Sequence, residues 1–367
     1  QIGFVLSFIL NASNIVPCGL MDCRHGQPTD SSRLVCWTVS QSNPSKLAAW
    51  VFDAGGSSPA YVSELIEAVS IGPLHNGWTV VLRIDRSMLA INMVNGQATS
   101  QSSALAEDDA IHKGGDADED VGYLLPAPEN PYFLHVHDSH GLAHAWLLDS
   151  CRLQLEHLHT LPTIEGPGLH PAVIENATWF ADSIHVAICA SAFLMIVDVV
   201  LNEILIKMCQ AEVIGRGVGR RISCAGAKVD GTVIVSGSNN GCLIEWGVFG
   251  DLQGQCIHHQ YHHQKFSPIT DVRFTTLGSL VSMQAADFDA ERVNDICVWD
   301  VGMCPWPCMH RFPSSGFAVI TKQPCHLYSS AHDGVVRVWD LDNGLPCASL
   351  AQDDADSIWD LQVSPCG

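Results

Sequence analysis

Positive charge is scarce in this chain. Lys and Arg number 18 against 39 Asp and Glu in 367 residues, a formal net charge of −21, and such an average field repels a phosphate backbone. Nucleic acid is therefore disfavoured as a partner except through a local Arg patch. A long hydrophobic run is also missing. The longest, Val186 to Val197, holds 12 residues and is cut by Asp198, whereas a membrane-spanning helix needs about 20. The opening QIGFVLSFIL has neither an initiator Met nor a basic leader region and reads as an internal strand of a chain trimmed at its front. The 15 cysteines include no CxxC pair and no evenly paired framework, which is the usage of reduced, mostly buried thiols in a cytoplasmic or nuclear protein. The triplets at Asn11 and Asn176 match the glycosylation sequon but are expected by chance in a chain of this length. GxSxG, HExxH and P-loop motifs are lacking too. No enzyme, cofactor or small-molecule substrate is expected.

What remains is apolar and periodic. Hydrophobic residues make up 47% and charged residues 16%, a composition for a large buried core, long enough for two ordinary domains or one large all-β domain. In residues 329–350, SSAHDGVVRVWDLDNGLPCASL, a β-branched and aromatic run lies between Asp333-Gly334 and Asp342-Asn343-Gly344, which is strand and turn chemistry. Aligned on Trp339, similar units fall at Trp37 (RLVCWTV), Ile91 (MLAINMV), Trp146 (LAHAWLL), Val197 (LMIVDVV), Trp246 (CLIEWGV) and Trp299 (ICVWDV). The successive intervals are 54, 55, 51, 49, 53 and 40 residues, near or above the period of about 40 to 45 for four-stranded propeller blades. Asp85, Asn240 and Asp333 stand six positions before their anchors, where residues that accept a tight turn are wanted. The order is strand a, strand b, turn, strand c and a shorter strand d.

On HDGVVRVWDLDNG and NDICVWDV the chain resembles the WD-repeat β-propeller family, over essentially all its length and most closely at Trp246, Trp299 and Trp339. The resemblance implies one all-β domain over 1–367, a seven-bladed propeller with four antiparallel strands per blade. In that family a His, a Ser or Thr, an Asp and the Trp form a hydrogen-bonded set. The Trp339 unit keeps Ser329 or Ser330, Asp333 and Trp339; FPSSGF offers no His, and Asp354 stands where the next His would be. Partners in the family dock on the face of the loops that precede strand a or join b to c. Here those are the surroundings of Arg220, Arg221, His263, Asp271, Asp333, Asp356 and Trp359.

The function so implied is a scaffold or adaptor for other protein subunits in a multiprotein complex. The alternatives are a non-catalytic subunit of an RNA-modifying complex of the tRNA methyltransferase type, docking through Arg216 to Arg221, and a ubiquitin-ligase substrate receptor. The Trp-Asp-x-Arg signature of the latter is absent after Trp299 and Trp339.

Joining the last residues to the first, SIWDLQVSPCG to QIGFVLSFIL, gives a strand, a turn and a strand, so the first blade is expected to be closed by strands from both termini. The rival is a self-contained first blade with strands at QIGFVLSFIL and NIVPCGLMDC. Two acidic insertions, at about 97–120 and 286–294, read as solvated loops. HHQYHH gathers His258, His259, His262 and His263; the expectation is a loop between blades with one structural His and no metal, although imidazole is a common zinc ligand. GRGVGRR reads as a flexible loop, and Cys304 and Cys308 of CPWPC as part of a turn between strands c and d.

Overall fold

A computed structural model describes residues 15–16, 20–22, 34–40, 46–53, 56–63, 68–74, 78–83, 86–92, 97–101, 122–137, 141–162, 172–214, 221–262, 267–284, 294–314, 318–320, 326–329 and 335–351, with backbone alone before residue 70. Two compact units form, Val5–Leu161 and, with Gln1–Phe4, Pro162–Gly367.

The unit Val5–Leu161 holds three antiparallel sheets. The first contains β1 (Ile15–Val16), β2 (Leu20–Asp22), β3 (Leu34–Ser40), β4 (Lys46–Asp53) and β5 (Gly56–Ser63), with β1 and β2 both pairing β3. The second runs β6 (Ala68–Pro73), β7 (Trp78–Arg83), β8 (Met88–Asn92), β9 (Ala98–Gln101). The third runs β10 (Tyr123–Pro126), β11 (Tyr132–His137), β12 (Leu142–Asp149), β13 (Gln154–Thr160).

The unit containing Pro162–Gly367 holds four more, each paired in chain order. The fourth sheet has β14 (Ile174–Trp179), β15 (His185–Ala190), β16 (Phe193–Asp198) and β17 (Glu203–Cys209), followed by the short helix α1 (Gln210–Ile214). The fifth has β18 (Ile222–Ala227), β19 (Val233–Ser238), β20 (Cys242–Gly247) and β21 (Cys256–Tyr261). The sixth has β22 (Ile269–Phe274), β23 (Leu280–Gln284), β24 (Asn294–Trp299) and β25 (Cys308–Ser314). The seventh has β26 (Ala318–Ile320), β27 (His326–Ser329), β28 (Val335–Asp340) and β29 (Pro346–Ala351). The all-β expectation holds.

Local chemistry explains these elements. The second and third strands are covered on both faces and so read as continuous apolar runs, as in HVAICA and FLMIVD. The 12-residue run Val186 to Val197 is thus most of a hairpin, turned at Ser191 with φ 55°. No described helix is long and apolar enough to cross a membrane. Outer strands face solvent on one side and alternate, as in CIHHQY. Aspartates fasten the turns: the Oδ1 atoms of Asp149, Asp182, Asp198, Asp230, Asp300 and Asp340 each accept a backbone N–H from two residues ahead.

The core lies between sheets. The Trp146 face of the third sheet packs on Trp78, Val80, Leu82, Met88 and Ala90 of the second. In the other unit the Trp246 face packs on the fourth sheet, the Trp299 face on the fifth and the Trp339 face on the sixth. The fifth sheet approaches the backbone of the sixth at Gly226, where an added Cβ would lie 2.4 Å from the Val272 carbonyl oxygen. Only glycine fits there.

Four expectations are corrected. Trp37 lies on β3, the second strand of its sheet, while Trp50 on β4 holds the anchor position, directly after the register shift between Ala49 and Trp50. The same shift falls just before Trp146, Val197, Trp246, Trp299 and Trp339, and moving the anchor makes the first interval 91 − 50 = 41 residues. The 97–120 insertion begins with a strand, β9, because an outer strand can be as polar as ATSQ when it pairs only through its backbone. Asn294 belongs to β24 rather than to the second insertion. His258 and His259 lie on β21, not in a loop, for the same reason as β9. The question of closure falls on residues 1–14 and 352–367, outside the described residues, as do the rest of both insertions; β1 and β2 already pair with the second strand of the first sheet from NIVPCGLMDC.

Candidate protein-binding site

The anchors set the internal frame of each sheet. Trp246 Nε1 donates to Ser236 Oγ at 2.9 Å, Trp299 Nε1 to Ser282 Oγ at 2.8 Å and Trp339 Nε1 to Ser329 Oγ at 2.9 Å. Ser329, not Ser330, is therefore the partner in the last unit. Each Ser sits on the second strand, two residues beyond the one opposite the Trp. The same offset places His135 with Trp146, Ile188 with Val197, Val81 with Ile91 and Thr38 with Trp50. At the neighbouring turn Asn240 Oδ1 accepts from Ser238 Oγ at 2.5 Å and from the Cys242 N–H at 3.2 Å. His262 is buried, with its ring edge-on to Trp299 at 5.5 Å between centroids.

Of the partner-binding residues proposed from sequence, Arg221 and Asp271 are described. Arg220, His263, Asp333, Asp356 and Trp359 lie outside the described residues, as does the turn residue Asp85. Arg221 precedes β18; its Nη1 meets Glu175 Oε1 of β14 at 3.0 Å, and its backbone N–H donates to Asn239 Oδ1. Asp271 on β22 accepts from the Val272 N–H at 2.9 Å and from Arg273 Nε at 2.7 Å. Charges at the first strands of three successive sheets thus alternate and are matched within the chain. The arginine that could have met a phosphate already holds a carboxylate.

Sequence reasoning missed the opposite end of these sheets. In the unit containing Pro162–Gly367, Val200, Leu201, Val229, Phe249, Leu252, Leu277, Met303 and Leu345 are exposed, all in turns that join first to second or third to fourth strands. These turns adjoin. Phe249 and Phe180 flank Gly231, and Lys228 reaches Gly278 of the next sheet. Beside them stand Asp182, Asp230, Asp251, Asp300 and Asp342, with Lys228 the one Lys or Arg in the described turns at this end. Hydrogen bonds from the Thr232 hydroxyl and N–H, with the Lys228 ammonium, pull the Asp230 carboxyl down to about 2. Burial alone would raise Asp182, but donors from His185 and Ile184 outweigh it and hold it below its ordinary value. This end is acidic and apolar together. The signal was legible as large apolar residues at turn positions, in VVLN, KVDG and VFGDL.

Among the described residues no group of three or more His, Cys, Asp or Glu is placed to hold a metal. No disulfide joins two cysteines among the described residues.

No protein-family model matches the chain, and no curated protein matches its sequence. Solved structures do match its fold. Saccharomyces cerevisiae Sqt1, a WD-repeat protein, is similar over 88% of this chain and 83% of its own, with 13% identity and a TM-score of 0.66. Chaetomium thermophilum Sqt1, bound to the N-terminus of the ribosomal protein L10, is similar over 87% of this chain and 84% of its own, with 13% identity and a TM-score of 0.63. At such identity the likeness is one of fold.

Proposed function

We propose that this chain is a WD-repeat scaffold: one propeller of seven blades over residues 1–367 that holds other protein subunits in a multiprotein complex in the cytoplasm or nucleus. The observation that carries the reading is the crowding of eight large exposed apolar side chains onto one set of turns, since contiguous exposed apolar surface marks a binding site. Turns held by paired strands and aspartate caps lose little entropy on contact, which favours association. Fold likeness to a protein solved with a ribosomal-protein segment bound agrees with a protein ligand.

The partner docks on the apolar turns, while the charged row at Arg221 and Asp271 stays internally paired. The test is affinity capture with the tagged full chain and quantitative mass spectrometry. Leu201→Asp with Phe249→Asp is expected to release the captured subunits, and Arg221→Glu with Asp271→Lys to retain them. The reverse pattern would move the site to the other end of the sheets. A wild-type chain that enriches no protein over a tag-only control removes the scaffold reading.

A further inference from the structure

Two motifs far apart in the sequence meet in space. CPWP ends the turn between β24 and β25, with Cys308 opening β25, and HHQ of the outer strand β21 in the neighbouring sheet lies against it. Cys304 Sγ stands 3.3 Å from His258 Nδ1, and His258 Nε2 stands 3.4 Å from Gln260 Oε1. The backbone N–H of Trp306 donates to the same Gln260 oxygen at 3.2 Å. A backbone N–H can only donate, so the amide atom facing Trp306 is the oxygen, and the imidazole nitrogen facing that oxygen must carry a hydrogen. The tautomer follows: Nε2 is protonated, and the bare Nδ1 lone pair points at the Cys304 thiol.

The surroundings suit that role. The Trp306 indole lies against the imidazole, with ring centroids 4.9 Å apart. Glu245 is the direct cross-strand partner of His258, a carboxyl placed to stabilise the imidazolium when it forms. Cys304 itself is exposed. A nucleophile, a base within hydrogen-bond reach and an amide that orients the base are the parts of an activated thiol.

We propose that Cys304 is a reversibly modified thiol, activated by His258 and positioned by Gln260, and that its reagent is a small-molecule disulfide. His258 Nδ1 takes the thiol proton. The Cys304 sulfur attacks one sulfur of the disulfide, a new S–S bond forms and the old one breaks, and the departing thiolate takes the proton back from His258. Electrons and atoms balance with the disulfide as the only oxidant, and a free thiol reverses the step.

The full chain, incubated with oxidised glutathione and followed by peptide mass spectrometry, tests this with the exposed Cys151 as reference in the same molecule. Cys304 is expected to form its mixed disulfide about tenfold faster than Cys151 at neutral pH. His258→Asn is expected to bring Cys304 to the Cys151 rate. Gln260→Leu should slow it in part, and Gln260→Glu, which keeps the acceptor, should preserve it. Equal rates in the wild type overturn the proposal without recourse to any variant. So does an unchanged rate in a His258→Asn chain that melts as the wild type does.

Discussion

The third sheet and the fifth, sixth and seventh solve one problem differently. Where Trp246, Trp299 and Trp339 each donate to a buried serine, Trp146 faces His135, and its Nε1 is buried with no hydrogen-bond partner among the described residues. The Trp146 indole lies instead among rings, 5.0 Å from His157 and 6.3 Å from Phe133, with His137 and His144 beyond. The second and fourth sheets take a third course, replacing both partners at once with Ile91 and Val81, or Val197 and Ile188, all buried. Exchanging both members of a buried hydrogen bond for apolar groups is nearly neutral, whereas losing one strands the other at about 1–3 kcal/mol. Drift from the repeat signature is therefore tolerated when it is complete, and the third sheet is the incomplete case.

The largest expected effect tests whether packing or hydrogen bonding makes an anchor. Trp299→Ala and Trp146→Ala should each cost about 3–5 kcal/mol in urea unfolding, because both remove a fully enclosed indole. A much smaller loss at Trp146 would break the comparison from the packing side. Next, Ser282→Ala should cost about 1–3 kcal/mol by stranding the Trp299 N–H. A double-mutant cycle of Trp299→Phe with Ser282→Ala should show coupling near 1 kcal/mol. The matching cycle of Trp146→Phe with His135→Ala should show almost none, and equal couplings would mean that the two sheets do not differ in kind.

The smallest effect belongs to a turn. The Asp230 carboxyl, held at about 2 against an ordinary 3.8, stabilises the fold fully above its ordinary value and loses that contribution as pH falls through the lowered one. The stability gap between wild type and Asp230→Asn should stay constant above pH 4 and close toward pH 2 in acid unfolding curves. A gap that widens on acidification would have the sign wrong.

Much of the architecture was legible because strands covered on both faces must be apolar and tight turns need Asp, Asn or Gly. Trp339 could be placed from spacing, and the family resemblance narrowed its serine to Ser329 or Ser330, between which the structure chose Ser329. Trp50 was hidden because RLVCWTV imitates a third strand and the register shift that marks the true anchor leaves no composition of its own. β9 and β21 were read as loops because an outer strand pairs through its backbone while its side chains stay polar. Arg221 and Asp271 were singled out from sequence, but the ion pair of Arg221 with Glu175 joins two sheets and no local pattern reveals it, whereas Asp271 pairs with Arg273 on its own strand. Cys304 and His258 lie 46 residues apart, and only packing between neighbouring sheets brings them together.

Because the anchor faces of the fifth, sixth and seventh sheets are each covered by the preceding sheet, the fourth, fifth and sixth sheets each offer their other face to one not yet made. Units recur at 49, 53 and 40 residues between Val197 and Trp339, and ribosomes add about 5–20 residues per second. A newly emerged sheet therefore waits on the order of several seconds, one apolar side bare, for its successor to arrive. Chain growth is the period of greatest risk of misassembly, and slow translation through one repeat should aggregate nascent chains ending at that sheet more than chains ending one repeat later.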